Sequence, residues 1–108
     1  MVSFHLHLVS DSTGGTLNSV AKACLAQFED VSVEQHFWPL IRTPAQLQKT
    51  LEAIGKSPGL VLYTLVDDAL SRTLEKYCEK LNMPVLSILH PVLEVMSRLF
   101  NQESLHQP

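Results

Sequence analysis

Apolar side chains at positions 2, 4, 6, 8 and 9 give a period of two that predicts a strand from Val2 to Val9. The polar cluster Ser10-Asp11-Ser12-Thr13-Gly14-Gly15-Thr16 ends it. Beyond that cluster Leu17, Val20, Ala21, Cys24, Leu25 and Phe28 fall on one stripe of a helix, so the period lengthens to about 3.6 across the loop. A second strand is expected over Val31–Trp38, with Ser32, Glu34 and His36 on one face. A polar face places that strand at a sheet edge. Thr43-Pro44-Ala45-Gln46 has the form of a capping box, Leu47, Leu51 and Ile54 make the buried stripe of the helix it opens, and Gly55 is read as its stop.

Leu60–Val66 is nearly unbroken apolar and β-favouring, as a central parallel strand covered on both faces must be. Asp67 or Asp68 caps the next helix, whose stripe is Leu70, Leu74, Tyr77, Cys78 and Leu81, and Asn82-Met83-Pro84 ends it. Val85–Leu89 reads as a short fourth strand. His90-Pro91 starts a last helix, with Pro at its first position and Val92 to Phe100 apolar on several sides. Residues 1–100 are thus expected to form a single α/β domain, with 101–108 a patternless tail or the start of a linker.

Connections this long exclude hairpins, so the expected architecture is a three-layer open parallel four-stranded sheet, Rossmann- or flavodoxin-like, in strand order 2-1-3-4. That order sets the polar-faced strand at an edge. It also puts the topological switch point between the first and third strands, where open α/β sheets bind ligands beyond the carboxyl ends of their strands. The loops at 10–16 and 64–68 line that crevice.

Composition narrows the class. With 45% hydrophobic and 18% charged residues in 108, the chain can bury a core of its own. A net charge of -3 with eight scattered Lys and Arg gives no footprint for nucleic acid. No run approaches the roughly 18–20 apolar residues of a membrane span, and the start carries no basic flank of a signal peptide, so a cytoplasmic protein is expected. The two cysteines, Cys24 and Cys78, lie on apolar helix stripes and are expected as reduced core residues.

The chemistry is expected at the 10–16 loop. A helix N-terminus offers unpaired N–H groups and a positive partial charge, and glycines allow close approach of an anion, so Ser10, Ser12, Thr13, Gly14 and Thr16 are candidate phosphate ligands. The same residue types also suit a simple helix cap. Arg42, just after the second strand, stands on the ligand-binding edge and has the fork geometry to clamp a phosphate. Asp11, Asp67 and Asp68 repel phosphate unless Mg²⁺ bridges them or Asp11 accepts a substrate hydroxyl proton; Asp67 and Asp68 equally suit a capping role. There is no GxxxxGK[ST] and no GxGxxG. His5 and His7, two apart on one strand face, have a metal-compatible spacing but no third ligand in view, so no metal site is expected. Phe37 and Trp38 are expected to pack at a strand end under a helix.

HLHLVSDSTG at 5–14, Thr16-Leu17, Val20-Ala21, Ala26-Gln27-Phe28, Ile41-Arg42-Thr43, GLVLYTLVD at 59–67 and Met83-Pro84 together resemble the N-terminal part of the bacterial regulatory proteins of pyruvate, phosphate dikinase and phosphoenolpyruvate synthase. The resemblance implies a bifunctional enzyme. It uses ADP to phosphorylate a threonine of the dikinase or synthase and removes that phosphate by phosphorolysis with inorganic phosphate. It also implies a P-loop domain in a later segment that this chain lacks, so the chain alone is expected to be inactive. Carried over by position, the site candidates are Ser10, Asp11, Ser12, Thr13, Gly14 and Thr16, then Arg42 and Asp67. Gly15 stands where the family usually has Glu, and His90 where it often has Gly. Two alternatives stay open: a flavodoxin-like FMN carrier, whose phosphate loop Thr13, Gly14 and Thr16 resemble, and a ligand-free interaction or homodimerisation module built on the apolar last helix.

Overall fold

The computed structural model describes residues 2–107; Met1 and Pro108, the last residue of the expected tail, lie outside them. The elements run β1 (Val2–Ser10), α1 (Gly15–Leu25), β2 (Val31–Trp38), α2 (Pro44–Lys56), β3 (Leu60–Thr64), α3 (Asp68–Lys80), β4 (Val85–Ser87) and α4 (His90–Phe100). All strand pairs are parallel and the order is β2-β1-β3-β4, as expected. The third and fourth strands are shorter than their apolar runs, because Leu65-Val66 and Ile88-Leu89 belong to the loops at the carboxyl edge. Buried side chains there, such as Leu65 and Val66, pack without extending the ladder.

The two faces of the sheet are covered unequally. On one, Val9, Val61 and Tyr63 meet Leu47, Leu51 and Ile54 of α2 and Leu70, Leu74 and Cys78 of α3. Burying each such aliphatic side chain is worth about 1.5–3 kcal/mol. On the other face, Leu6, Leu8 and Leu62 meet only Leu17 and Ala21 of α1 among buried residues. That second face thins out towards β4, where Leu86 is 56% exposed. Tyr63, fully buried, donates its hydroxyl to Glu75, and burial together with that carboxylate raises its pKa.

α4 leaves the carboxyl edge and buries none of its residues, so Val92, Val95, Met96, Leu99 and Phe100 are all exposed. Its first turn rests edge-on against Tyr63 through the His90 ring. A radius of gyration of 14.3 Å, against the ~13 Å expected for a compact chain of this length, reflects that projection.

Three local expectations are corrected. Gly55 does not stop α2: the helix runs on to Lys56, and a Cβ at Gly55 would overlap the Tyr77 hydroxyl, so the residue is small for packing between α2 and α3. Cys24 is exposed, because α1 packs on the sheet through Leu17, Ala21 and the partly buried Leu25 and leaves Cys24 at the margin of that stripe; Phe28, beyond the helix, is 68% exposed. Cys78 is buried as expected, and desolvation with Glu75 and Glu79 nearby pushes its thiol up to about 11. Pro91 is the second helical residue rather than the first, since α4 begins at His90, whose N–H the Ser87 hydroxyl accepts at 3.0 Å.

Candidate functional site at the carboxyl edge of the sheet

The end of β1 is built from polar residues that the fold itself consumes. Ser10 is fully buried, and its hydroxyl accepts from Thr64 Oγ1 at 3.1 Å and from the Ser12 N–H at 3.1 Å. Asp11 is 5% exposed; its Oδ2 accepts the buried Val66 N–H at 2.9 Å and so ties the β3–α3 loop to the end of β1. The chain beyond β2 closes the third side. Leu40 N–H donates to Ser12 O at 3.0 Å and Ile41 N–H to Ser10 O at 2.9 Å. Loops from three strands thereby meet at the expected switch point.

Helix caps separate α1 from its neighbours. α2 has the full capping box expected of Thr43 and Gln46, and α3 is capped by Asp67, whose Oδ1 accepts from Leu70 N–H at 3.0 Å. α1 has Gly14 at its N-cap and no side-chain cap. Gly14 sits at φ 85°, in the left-handed region, and a Cβ there would run into the Phe37 ring. The N–H groups of the first turn of α1 therefore lack side-chain partners among the described residues. Thr13 and Thr16 are exposed beside them, with hydroxyls that make no hydrogen bond among those residues, while Ser12 is half-buried.

Arg42 joins this group. Its Nε donates to the Asp11 carbonyl at 2.7 Å, which holds the exposed guanidinium against the loop with its terminal amino groups available. The structure thus brings Ser10, Asp11, Ser12, Thr13, Gly14, Thr16 and Arg42 into one neighbourhood and gives Asp67 the capping role. Asp67 and Asp68 are exposed at the start of α3. A cavity of about 450 Å³ opens beside them, against α4 and the residues after it, and its carboxylates Asp68, Glu94 and Glu103 oppose an anion. Asp11, Asp67 and Asp68 do not form a three-ligand metal cluster; the one found among the described residues joins His5, Glu34 and His36. His5 thus has two possible co-ligands beside it that the sequence spacing does not show, and His7 is not among them. The partners come from the neighbouring strand, which only the β1–β2 register makes visible.

These features define an open parallel α/β domain whose 10–16 loop lies at the switch point, with the N-terminus of α1 left without a side-chain cap. The family described as Kinase/pyrophosphorylase matches residues 6–108, and the chain belongs to it. Among similar proteins, that of Rhodospirillum rubrum is 44% identical over the whole chain, which covers 39% of the relative. Those of Paramagnetospirillum magneticum, 48% identical over 95% of the chain, and Rhodopseudomonas palustris, 49% over 85%, are each covered to 33%. All three carry the name pyruvate, phosphate dikinase regulatory protein. The chain spans about two fifths or less of these relatives' length. The match favours the regulatory-protein resemblance over the flavodoxin one. No helix among the described residues is long and apolar enough to cross a membrane.

Proposed function

We propose that this chain is the N-terminal part of a cytoplasmic bifunctional enzyme that regulates pyruvate, phosphate dikinase or phosphoenolpyruvate synthase. In one direction a threonine hydroxyl of the target takes the terminal phosphoryl group of ADP, leaving AMP. In the other, inorganic phosphate takes the phosphoryl group from phosphothreonine, giving pyrophosphate and free threonine. The loop at 10–16 with Arg42 is the phosphate-handling edge of this half, and the nucleotide P-loop belongs to a C-terminal domain that completes the site.

The observation that carries this reading is the uncapped first turn of α1 with the Arg42 guanidinium fixed beside it. Positive partial charge and a planar cationic fork on one side of a loop stabilise the spread negative charge of a transferring phosphoryl group. Asp11 has one carboxylate oxygen on Val66 N–H, and the other is the proton acceptor for the threonine hydroxyl. Any Mg²⁺ at this edge arrives on the substrate phosphates, since Asp11 and Asp67 each spend an oxygen on the fold. Without a Walker lysine the chain's own residues do not complete an ADP site, and the 108 residues alone do not transfer phosphate.

The test joins this chain to the C-terminal remainder of the Rhodospirillum rubrum relative and supplies ADP and dikinase. The chimera is expected to form phosphothreonine and AMP, and the 108-residue chain alone is not. Asp11→Asn and Arg42→Ala in the chimera should each lower the rate at least ~10-fold. A folded chimera with no transfer, or one indifferent to both substitutions, contradicts the proposal.

A further inference from the structure

We propose that His5, His36 and Glu34 form a binding site for a divalent transition-metal ion of the Zn²⁺ type at the β1–β2 edge of the sheet, remote from the phosphate-handling loop. The register pairs His5 with Glu34 and His7 with His36, so alternation along the strands places all four on one face. His5 Nδ1 lies 2.9 Å from His36 Nε2 and 3.5 Å from Glu34 Oε2, and the three ligand atoms all fall within 4.8 Å of one another. Ligands held ~2.0–2.1 Å from a tetrahedral ion stand roughly 3.3 Å apart, so a slight opening of the His5–His36 pair, whose shared hydrogen bond the ion replaces as the bridging proton moves to a free ring nitrogen, and a small closing of Glu34 complete the set.

Chemistry selects the class of ion. Two imidazoles and one carboxylate suit Zn²⁺ and its neighbours, whereas Mg²⁺ and Ca²⁺ prefer oxygen ligands throughout. The side chains of His5 and Glu34 are 35% and 66% exposed, so an ion enters from solvent and water fills its remaining position. His7 is not a ligand, because both its ring nitrogens are occupied: Nε2 donates to Ser57 O at 2.7 Å and Nδ1 accepts from Trp38 Nε1 at 3.1 Å. It acts on the site by position. Its ring stacks on His36 at 4.5 Å and an interplanar angle of 16°, holding that imidazole in place as supporting residues of metal ligands do. An ion here staples the edge strand β2 to the central β1. Binding to the folded chain then raises its stability by mass action.

The test uses the 108-residue chain without a polyhistidine tag. Titration with Zn²⁺ in a calorimeter should show one ion bound per chain at micromolar concentration or below, with a rise in melting temperature. Co²⁺ should acquire the intense visible bands of a low-coordinate complex. Because His36 also carries the His7 stack, His5→Ala at a half-exposed position is the deciding variant and should abolish binding, while Glu34→Gln weakens it by roughly 10-fold or more. No saturable binding at micromolar Zn²⁺, a Co²⁺ spectrum unchanged by the protein, or affinity indifferent to His5→Ala would each overturn the site.

Discussion

The carboxyl end of β1 and its histidine-bearing middle both put polar side chains into a strand, and they use them in opposite ways. At the carboxyl end Ser10 and one carboxylate oxygen of Asp11 are turned inward and consumed by Thr64, Ser12 and Val66. The groups left over there are the second Asp11 carboxylate oxygen, backbone N–H groups, two threonine hydroxyls and the terminal amino groups of a guanidinium held from outside the strand. In the middle, His7 is fully engaged by Ser57 and Trp38, whereas His5 Nδ1 and His36 Nε2 meet in a single hydrogen bond that an incoming ion can replace. Burial of a polar residue therefore marks a support of the fold in this molecule. The groups not spent on the fold stand one step outward from it.

The largest effect separates the two regions by stability. Asp11→Ala leaves the Val66 N–H buried without a partner and should cost about 2–3 kcal/mol in urea unfolding, while Asp11→Asn, which keeps an acceptor, should lose well under half of that. Glu34→Gln in the absence of metal should change stability by less than ~0.5 kcal/mol. Equal losses for Asp11→Ala and Glu34→Gln would erase the contrast. Next comes Gly14→Ala, which forces a side chain into the left-handed region and against Phe37 and should cost roughly 1–3 kcal/mol.

Much of this organisation is legible in the sequence. The change of period across SDSTGGT, the capping box at Thr43 and the polar face of β2 fix the element order, and the order fixes the switch point. What escapes are features set by the coverage or register of distant segments. Cys24 has a core-like position on its helix, but Leu17, Ala21 and Leu25 are the residues that meet the sheet, and Cys24 is left at the margin of that stripe. Gly55 has the composition of a helix stop, but it is small because Tyr77 packs there. The partners of His5 lie about thirty residues away in sequence and are brought beside it only by strand pairing. Arg42 stands at the carboxyl edge by its position after β2, yet its anchoring to the Asp11 carbonyl has no sequence signal.

A pH series tests the histidine region from another side. Desolvation, the largest cause, with His36 and His5 nearby, lowers the pKa of His7 below its ordinary 6.5, although the Ser57 carbonyl opposes the shift. Above 6.5 the imidazole is neutral in both folded and unfolded chains and adds no pH dependence. As pH falls below 6.5 the unfolded chain binds the proton first, so stability declines until the folded-state value is passed. Thermal midpoints measured from pH 8 to pH 5 should fall on the acid side, and His7→Gln should flatten that slope even if it lowers the whole curve. The smallest effect is expected at Gly15, where a Cβ meets nothing within 4 Å. Gly15→Glu should raise stability by about 0.3–1 kcal/mol through the N-terminus of α1, and weaken phosphate binding by like charge.

Titration of the ¹⁵N-labelled 108-residue chain with inorganic phosphate, followed amide by amide and repeated with Arg42→Ala, tests the central claim most directly. The account predicts saturating shifts centred on the amides of Thr13 to Leu17, and their weakening about tenfold or more in Arg42→Ala with the fold intact. Shifts confined to other parts of the sheet, or an Arg42→Ala titration identical to that of the parent chain, would contradict it.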